Sequence, residues 1–331
     1  MSGLKAISLF SGGLDSQLAV TIIKNMGIEV LGINFVTPFF GANPATIQAA
    51  KDLGIELITM DISEEYIPGV LKNPTYGYGK NLNPCIDCHG FMLKKAGDYM
   101  SQVDASFLIT GEVVGQRPMS QNKSALNAVD KISGYRGFIV RPLSAKLLPP
   151  TEPEIRGWID RERLLDISGR GRGRQMELAE KFGIRDYPSP AGGCLLTEQN
   201  FARRLKRLLD KNPNACANEM EILKLGRHFP LNEEVLLVVG RNQSENKRLE
   251  NIAWPSDLLL KVADRPGPLG LLRYGHFSEE LIKYAAAIVA RYSDAKNLNQ
   301  ARVKVFKSGQ EENHSIINVP PLKPDNVPQS V

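Results

Sequence analysis

The sequence predicts an α/β protein in which a doubly wound parallel sheet is followed by a smaller α+β domain, and three observations carry that prediction. Short apolar runs alternate with segments of helical period through the first 165 residues. The first apolar run opens directly into a glycine-rich turn and then a helix, the start of a βαβ unit. Beyond His228 the rhythm changes to short strands and turns around one helix.

In chain order, residues 6–10 read as the first buried strand, and residues 29–35, 56–62 and 106–110 as the next three. All four are mostly apolar, as in strands covered on both faces. Helical patterns lie between them at residues 15–25, 44–53 and about 88–100. A sheet of this kind takes its ligand at the carboxyl ends of its strands, where Ser11 to Ser16 fall. Residues 73–83 are a loop by composition, 138–142 a further strand, and Thr151 with Glu154 three residues on a helix N-cap. Residues 166–174 read as a flexible basic linker and 175–182 as a short helix. A basic helix begins at Phe201 (Arg203, Arg204, Lys206, Arg207) and ends near Asn212-Pro213. Strands at 234–239, 258–262 and 303–306 and a helix at 278–292 form the second domain. The expected division is therefore 1–165, a linker and helical segment 166–227, the α+β domain 228–310, and a disordered tail 311–331.

The chain has 331 residues, 42% hydrophobic and 23% charged, a globular composition with ample length for a core. No apolar run approaches the ~18 residues of a membrane span, and the N-terminus runs into the first strand without a signal peptide. Four cysteines do not make a disulfide scaffold. The expected location is cytoplasmic, with no membrane partner. The net charge of +5 sits wholly in residues 201–331, which hold 20 Lys and Arg against 15 Asp and Glu. A basic second half suits a polyanionic partner.

Ser11-Gly12-Gly13-Leu14-Asp15-Ser16 carries the clearest chemistry. A strand, a glycine-rich turn and a helix N-terminus aim backbone N–H groups at one spot and make an oxyanion site. No Gly-Lys-Ser/Thr follows, so this is not a Walker A loop. It resembles the pyrophosphate-binding SGGxDS loop of the PP-loop ATP pyrophosphatases, which split ATP between its α and β phosphates and adenylate a substrate. That resemblance implies an adenine nucleotide alpha hydrolase-like fold, ATP with Mg²⁺, and nucleotide contacts from Ser11, Gly12, Gly13, Asp15 and Ser16. Three cysteines stand in special contexts: Cys85 and Cys88 as a Cys-x-x-Cys pair after Pro84, and Cys194 after a Gly-Gly turn. Cys216 has no partner pattern. The pair reads as a redox or persulfide dithiol, half of a zinc site, or two ligands of an iron–sulfur cluster. His89 is an awkward fourth zinc ligand beside Cys88, whereas three thiolates suit a [4Fe-4S] cluster with one iron left open.

SGGLDS, then Asn83-Pro84-Cys85-Ile86-Asp87-Cys88-His89, then Cys194 in its Gly-Gly-Cys turn resemble, in that order, the PP-loop tRNA thiolation enzymes: the tRNA 2-thiouridylases and 4-thiouridine synthases. Gly111-Glu112-Val113-Val114-Gly115-Gln116-Arg117-Pro118-Met119-Ser120-Gln121 resembles the Gly-Gln-x-x-Ser-Gln segment that follows a core strand in the 4-thiouridine synthases. The resemblance implies Cys85 and Cys194 as the catalytic pair, Cys88 as a third cluster ligand, and Asp15 on Mg²⁺ or the phosphates. It also implies Gln116, Ser120 and Gln121 at the nucleotide or target base. Gly240-Arg241-Asn242-Gln243-Ser244-Glu245-Asn246, Asp257-Leu258-Leu259-Leu260, Gly267-Pro268 and residues 285–293 with their Ala-Arg-Tyr-Ser resemble the RNA-binding domain of NFACT-type ribosome quality-control proteins.

The implied activity is ATP-dependent sulfur transfer to a tRNA uridine. The implied partners are tRNA and an external sulfur donor, either sulfide or a cysteine desulfurase relay, with a homodimer left open. No THUMP domain precedes SGGLDS and no rhodanese-like loop follows. Arg141, Lys146, Arg170, Arg172, Arg174 and the face of Arg203–Arg207 are candidate phosphate contacts, each as readily a solvated surface. Arg241, Asn242 and Asn246 are RNA contacts by resemblance alone. Two other functions compete: a PP-loop ligase adding an amine to an adenylated substrate, and a non-catalytic RNA-binding protein with a structural metal.

Overall fold

The structure, a computed structural model, describes residues 3–188 and 193–330. It divides into two compact units, residues 1–199 and 200–331. The first unit is a five-stranded parallel sheet with helices: β1 (Lys5–Leu9), α1 (Leu14–Lys24), β2 (Glu29–Val36), α2 (Pro44–Asp52) and β3 (Glu56–Asp61) open it. After them come α3 (Ser63–Tyr66), α4 (Cys85–Tyr99), β4 (Phe107–Thr110), α5 (Lys123–Ser133), β5 (Ile139–Val140), α6 (Glu152–Ile155) and α7 (Gly173–Phe182). The strand order β3-β2-β1-β4-β5 places β1 in the middle. The chain first winds from β1 towards β3 and then crosses back to β4, so the topological switch point lies at the carboxyl ends of β1 and β4. The expected doubly wound sheet is thus present.

Burial explains the strand composition. Ile7, Phe107, Leu108, Ile109 and Val140 are fully buried, as a sheet covered on both faces requires. Helix α1 sets Leu14, Leu18 and Ile23 into the same core. The Asn43 side chain accepts from the Thr46 N–H to cap α2, ahead of Pro44 at its first turn. The N-cap of α1 is Gly13, with no side-chain cap, so its first amides stay open to a ligand.

Two local expectations are corrected. Helix α4 starts at Cys85, three residues before the expected start, which puts both cysteines in its first turn. Residues 166–174 are not a flexible linker: Ile167 is buried, Ser168 bridges Val114, and Gly173 already begins α7. Between β4 and β5, where the sequence analysis assigns no element, lies α5, capped by Asn122 and ended by Gly134 in the left-handed conformation.

The second unit carries α8 (Gln199–Lys211), α9 (Ala217–Ile222), β6 (Arg227–Pro230), β7 (Leu236–Val239), α10 (Gln243–Ile252), β8 (Leu258–Val262), β9 (Gly270–Arg273), α11 (Glu279–Arg291), β10 (Ala301–Lys307) and β11 (Ser315–Val319). Its six strands form one antiparallel sheet in the order β11-β10-β8-β9-β7-β6. Helix α11 packs closely because its buried face is largely alanine (Ala285, Ala286, Ala290). A Cβ at Gly270 would lie 2.4 Å from Val289, so only glycine fits there. Arg273, fully buried, is ion-paired to Asp257 at 2.7 Å and stacked 3.9 Å over Trp254. The tail expected to be disordered after residue 310 instead supplies β11, paired with β10 from Ala301 to Val305. Among the described residues no helix is long and apolar enough to cross a membrane.

Candidate active site

The glycine loop sits at the carboxyl end of β1, and its shape is fixed by contacts that leave little choice of residue. Gly12 has φ +74°, and a Cβ there would lie 2.8 Å from the Thr46 backbone. The Thr46 hydroxyl donates to the Ser11 carbonyl at 3.2 Å. Ser16 Oγ donates to the Gly13 carbonyl at 2.8 Å, and Ser11 Oγ lies 3.3 Å from both Ser16 Oγ and the Gly13 N–H. Buried Gln17 donates to the Gly12 carbonyl at 2.8 Å and to the Asp186 carbonyl at 3.0 Å. It thereby ties the loop to the segment that leads towards Cys194. Gln116 Nε2 donates to Asp15 Oδ2 at 3.0 Å, while Asp15 Oδ1 is buried without a partner. An orphaned carboxylate oxygen beside uncapped amides fits a group that supplies both a cation and an anion, as a metal–nucleotide does.

The loop after β4 holds the same place from the other side. A Cβ on Gly111 would stand 2.6 Å from the Asp15 carbonyl carbon and from the Ser16 nitrogen, so the strand end lies hard against the glycine loop. Ser120 and Gln121 are buried in this segment, and Gln121 Oε1 has no partner. Next to Gly111, buried Glu112 accepts from His89 Nδ1 at 2.7 Å and Arg141 Nε at 3.0 Å. Arg141 also reaches Asp130 at 2.8 Å. Burial opposes ionisation of Glu112, yet the Arg141 charge and the His89 hydrogen bond hold its carboxyl down to about 2. Glu112 therefore clamps α4, which carries Cys85 and Cys88, to the segment that frames the glycine loop.

The three motif cysteines approach one buried phenol. Tyr66 is fully buried at the end of α3, where the chain widens into a π-helical turn at Ile67–Leu71. Its ring packs among Phe39, Phe40 and Phe91. Its hydroxyl lies beside the Cys88 thiol without a hydrogen bond of ordinary geometry, within the fields of Cys194 and Cys85. Burial pushes the Cys88 thiol far up, and it pushes Cys194 up to about 11 against the pull of the Leu196 amide. Cys194 is held by its neighbours: the Leu195 N–H donates to the Phe39 carbonyl at 3.0 Å, and Asn81 Nδ2 to the Thr197 carbonyl at 2.7 Å. Residues 189–192, the head of the Gly-Gly-Cys turn, lie outside the described residues. Asp87, between the paired cysteines, accepts from the Thr75 and Tyr76 amides at 2.8 and 3.0 Å and fixes the loop before them. Three thiols fit a thiolate-held group in donor type. Among the described residues, however, no three His, Cys, Asp or Glu side chains are placed to hold a metal ion.

Several expected phosphate contacts have other work. Arg141 is buried in the Glu112–Asp130 network, and Lys146 pairs with Glu162 at 3.1 Å. Arg174 pairs with Asp166 at 2.8 Å, and half-buried Arg172 keeps its Nε without a partner. Arg170 stays exposed. Arg241 pairs with Glu245 at 2.5 Å. Asn242 caps α10 by accepting from the Glu245 N–H, and Asn246 accepts from the Leu269 N–H at 3.0 Å. Tyr66, Glu112, Gln17 and Asp87 were not singled out by sequence. Only Asp87, an acid in the first turn of a helix between two cysteines, left a local signal.

Residues 4–138 match the family model described as the tRNA methyl transferase HUP domain, and residues 226–330 match the NFACT protein RNA binding domain. A tRNA-specific 2-thiouridylase MnmA of Listeria monocytogenes is 24% identical over 245 residues, covering 69% of this chain and 62% of that protein. The MnmA of Methylobacillus flagellatus is 27% identical over 222 residues, covering 63% and 59%. The chain thus spans less than two thirds of the length of these relatives. Among solved structures, the U34-tRNA thiolase NcsA from Methanococcus maripaludis with its [4Fe-4S] cluster aligns at TM-score 0.32 and 13% identity, covering 67% of this chain and 71% of that one. By these matches residues 4–138 resemble the HUP domain of tRNA-modifying PP-loop proteins of the thiolation group, and residues 226–330 carry an NFACT-type RNA-binding domain.

Proposed function

We propose that this protein is an ATP-dependent tRNA sulfurtransferase that replaces a uridine carbonyl oxygen with sulfur. The observation that supports this reading most is that the Cys85–Cys88 pair and Cys194, remote from it in sequence, come near Tyr66 in the unit that carries the glycine loop. An aminating ligase would need no such thiols, and a degenerate binding protein would need no orphaned Asp15 oxygen.

The uridine carbonyl oxygen is a poor leaving group. Its attack on the α phosphate of ATP forms an O–P bond and releases pyrophosphate. Ser11, Ser16 and the open amides of α1 would bind the departing pyrophosphate, and Asp15, oriented by Gln116, would hold Mg²⁺. Sulfur then forms a bond to the activated carbon, and AMP leaves with the former carbonyl oxygen. Cys85, Cys88 and Cys194 would hold a [4Fe-4S] cluster, which when bound supplies a soft, sulfur-binding iron. In the persulfide form of the reaction, which needs sulfane sulfur from a desulfurase relay and not sulfide, one of Cys85 and Cys194 carries the persulfide. Its outer sulfur attacks the activated carbon. The other thiol then breaks the S–S bond, releasing the thiouridine and leaving a Cys85–Cys194 disulfide for an external dithiol to reduce. The NFACT-type domain would bind the tRNA, and sulfide or a cysteine desulfurase relay would supply the sulfur.

Anaerobic incubation of the iron–sulfur-reconstituted protein with tRNA, Mg-ATP and sulfide tests this reading. A thiouridine in the nucleoside mass spectrum, absent without ATP and absent for Cys194→Ala, is expected. AMP formation with no thionucleoside would overturn it in favour of the ligase.

A further inference from the structure

The second unit contains a cleft of about 620 Å³ that the reaction above does not use. One wall is helix α8, which presents Arg204, Arg207, Leu208 and Lys211 at the spacing of a single helical face. The other wall is the β6–β7 hairpin, with apolar Pro230, Val235 and Leu236, closed by Tyr274. Helix α8 precedes residues 226–330, so half of this cleft lies outside the matched RNA-binding domain.

Two of these cations, Arg207 and Lys211, have no ion-pair partner among the described residues, and both are exposed. Burial and the nearby Arg207 charge lower the pKa of Lys211 against the opposing fields of Glu233 and Glu234. Glu233 and Glu234 stand exposed on the opposite rim and reach Lys211 only through their fields. His228 beneath is buried, its pKa pushed down to about 3 by burial and the Arg204 charge, so it adds no charge. Tyr274 adopts φ +68°, unusual for an aromatic residue. Its hydroxyl is anchored on Glu219 at 3.0 Å.

We infer that this cleft takes a single-stranded RNA segment, with phosphodiesters on Arg207 and Lys211 and a base against Leu236 and Tyr274. An inorganic polyanion would use only the cations. A duplex does not enter a cleft of small-ligand size. The apolar wall, the ring, and rim carboxylates able to accept from a 2′-hydroxyl or a base amino group match an unpaired nucleotide. This rests on the reading that the protein binds tRNA and assigns where an unpaired stretch of that tRNA is held.

The test uses the full chain and a fluorescein-labelled hexaribonucleotide, with anisotropy measured over a salt series for wild type and R207E/K211E. Loss of two cations should weaken binding at least tenfold at low salt. It should also reduce the slope of log K against log salt by about 1.4, at ~0.7 per phosphate contact on a single strand. A hexamer carrying 5-iodouridine should photo-crosslink to the peptide containing Tyr274. Both positions are exposed, so an unchanged melting temperature is expected of the variant. Unaltered hexamer affinity in R207E/K211E, equal competition by inorganic tripolyphosphate, or a crosslink elsewhere would overturn the inference. Full-length tRNA is titrated in parallel. If wild type binds tRNA but the hexamer result fails, only the cleft assignment falls; if wild type does not bind tRNA, the proposed function falls with it.

Discussion

Replacing Glu112 by Gln should loosen the clamp between the cysteine helix and the glycine loop, and the structure sets the size of the effect. The carboxylate is 4% exposed and bonded to both His89 and Arg141. Its pKa falls from 4.5 to about 2 in the folded protein. At ~1.4 kcal/mol per tenfold change this corresponds to about 3 kcal/mol of stability at neutral pH. Removing one partner of a buried ion pair typically costs ~3–5 kcal/mol, which agrees. Because the folded pKa is depressed, the contribution is complete above pH 4.5 and is lost as the pH falls towards about 2. About half of it remains at pH 3. Urea denaturation followed by hydrogen exchange in α4 and β1 reads the first unit separately from the second. At pH 7 the Glu112→Gln protein should be about 3 kcal/mol less stable than wild type, and the gap should narrow by about half at pH 3. A difference under ~1 kcal/mol at pH 7, or a gap that does not narrow on acidification, would refute the clamp.

Two further predictions follow from the same geometry. Gly111→Ala places a methyl group 2.6 Å from the backbone of Asp15 and Ser16, where neither side can yield without moving the loop. ATP cleavage to AMP, measured by chromatography, should fall by ~100-fold, as expected when reacting groups are displaced by about an ångström. In reduced, metal-free protein, exposed Cys216 should be alkylated first and buried Cys88 last, as read by peptide mass mapping. With its pKa at about 11 against an ordinary 9.0, Cys194 should carry ~100-fold less thiolate than an unperturbed thiol at pH 8 and react correspondingly slowly. Cys88 alkylated as fast as Cys216 would contradict the burial.

The parallel sheet and the glycine loop were legible because their signals are local: apolar strands, then Gly12-Gly13, then an amphipathic helix. Helix α5 was legible as well, with ends at Asn122 and Gly134 and a buried face of Ala125, Leu126, Ala128 and Val129 between them, yet it was not assigned. The start of α4 was read three residues late because Pro84 and the loop before it hide the first turn, which Asp87 fixes from within. The linker and tail readings failed because polar, glycine- and proline-bearing composition says nothing of tertiary partners. Ser168 gains its order from Val114, and β11 from pairing with β10. The same holds at the candidate site. Sequence marked Cys85, Cys88, Cys194, Asp15 and Gln116, but not Tyr66 or the Glu112–Arg141 pair, whose partners lie tens of residues away. Arg241, Asn242 and Asn246, read as RNA contacts by resemblance, each also make a contact within the fold that the motif does not reveal.

The most direct test of the central claim follows the oxygen. tRNA transcribed with uridine carrying ¹⁸O at its carbonyls is incubated anaerobically with the reconstituted protein, sulfide and Mg-ATP in unlabelled water, and the AMP is weighed. Adenylation of the base predicts one ¹⁸O atom in the phosphate of each AMP, matched by one thiouridine formed. Unlabelled AMP would show that ATP is split by water and that the uridine carbonyl is never activated, contradicting the account.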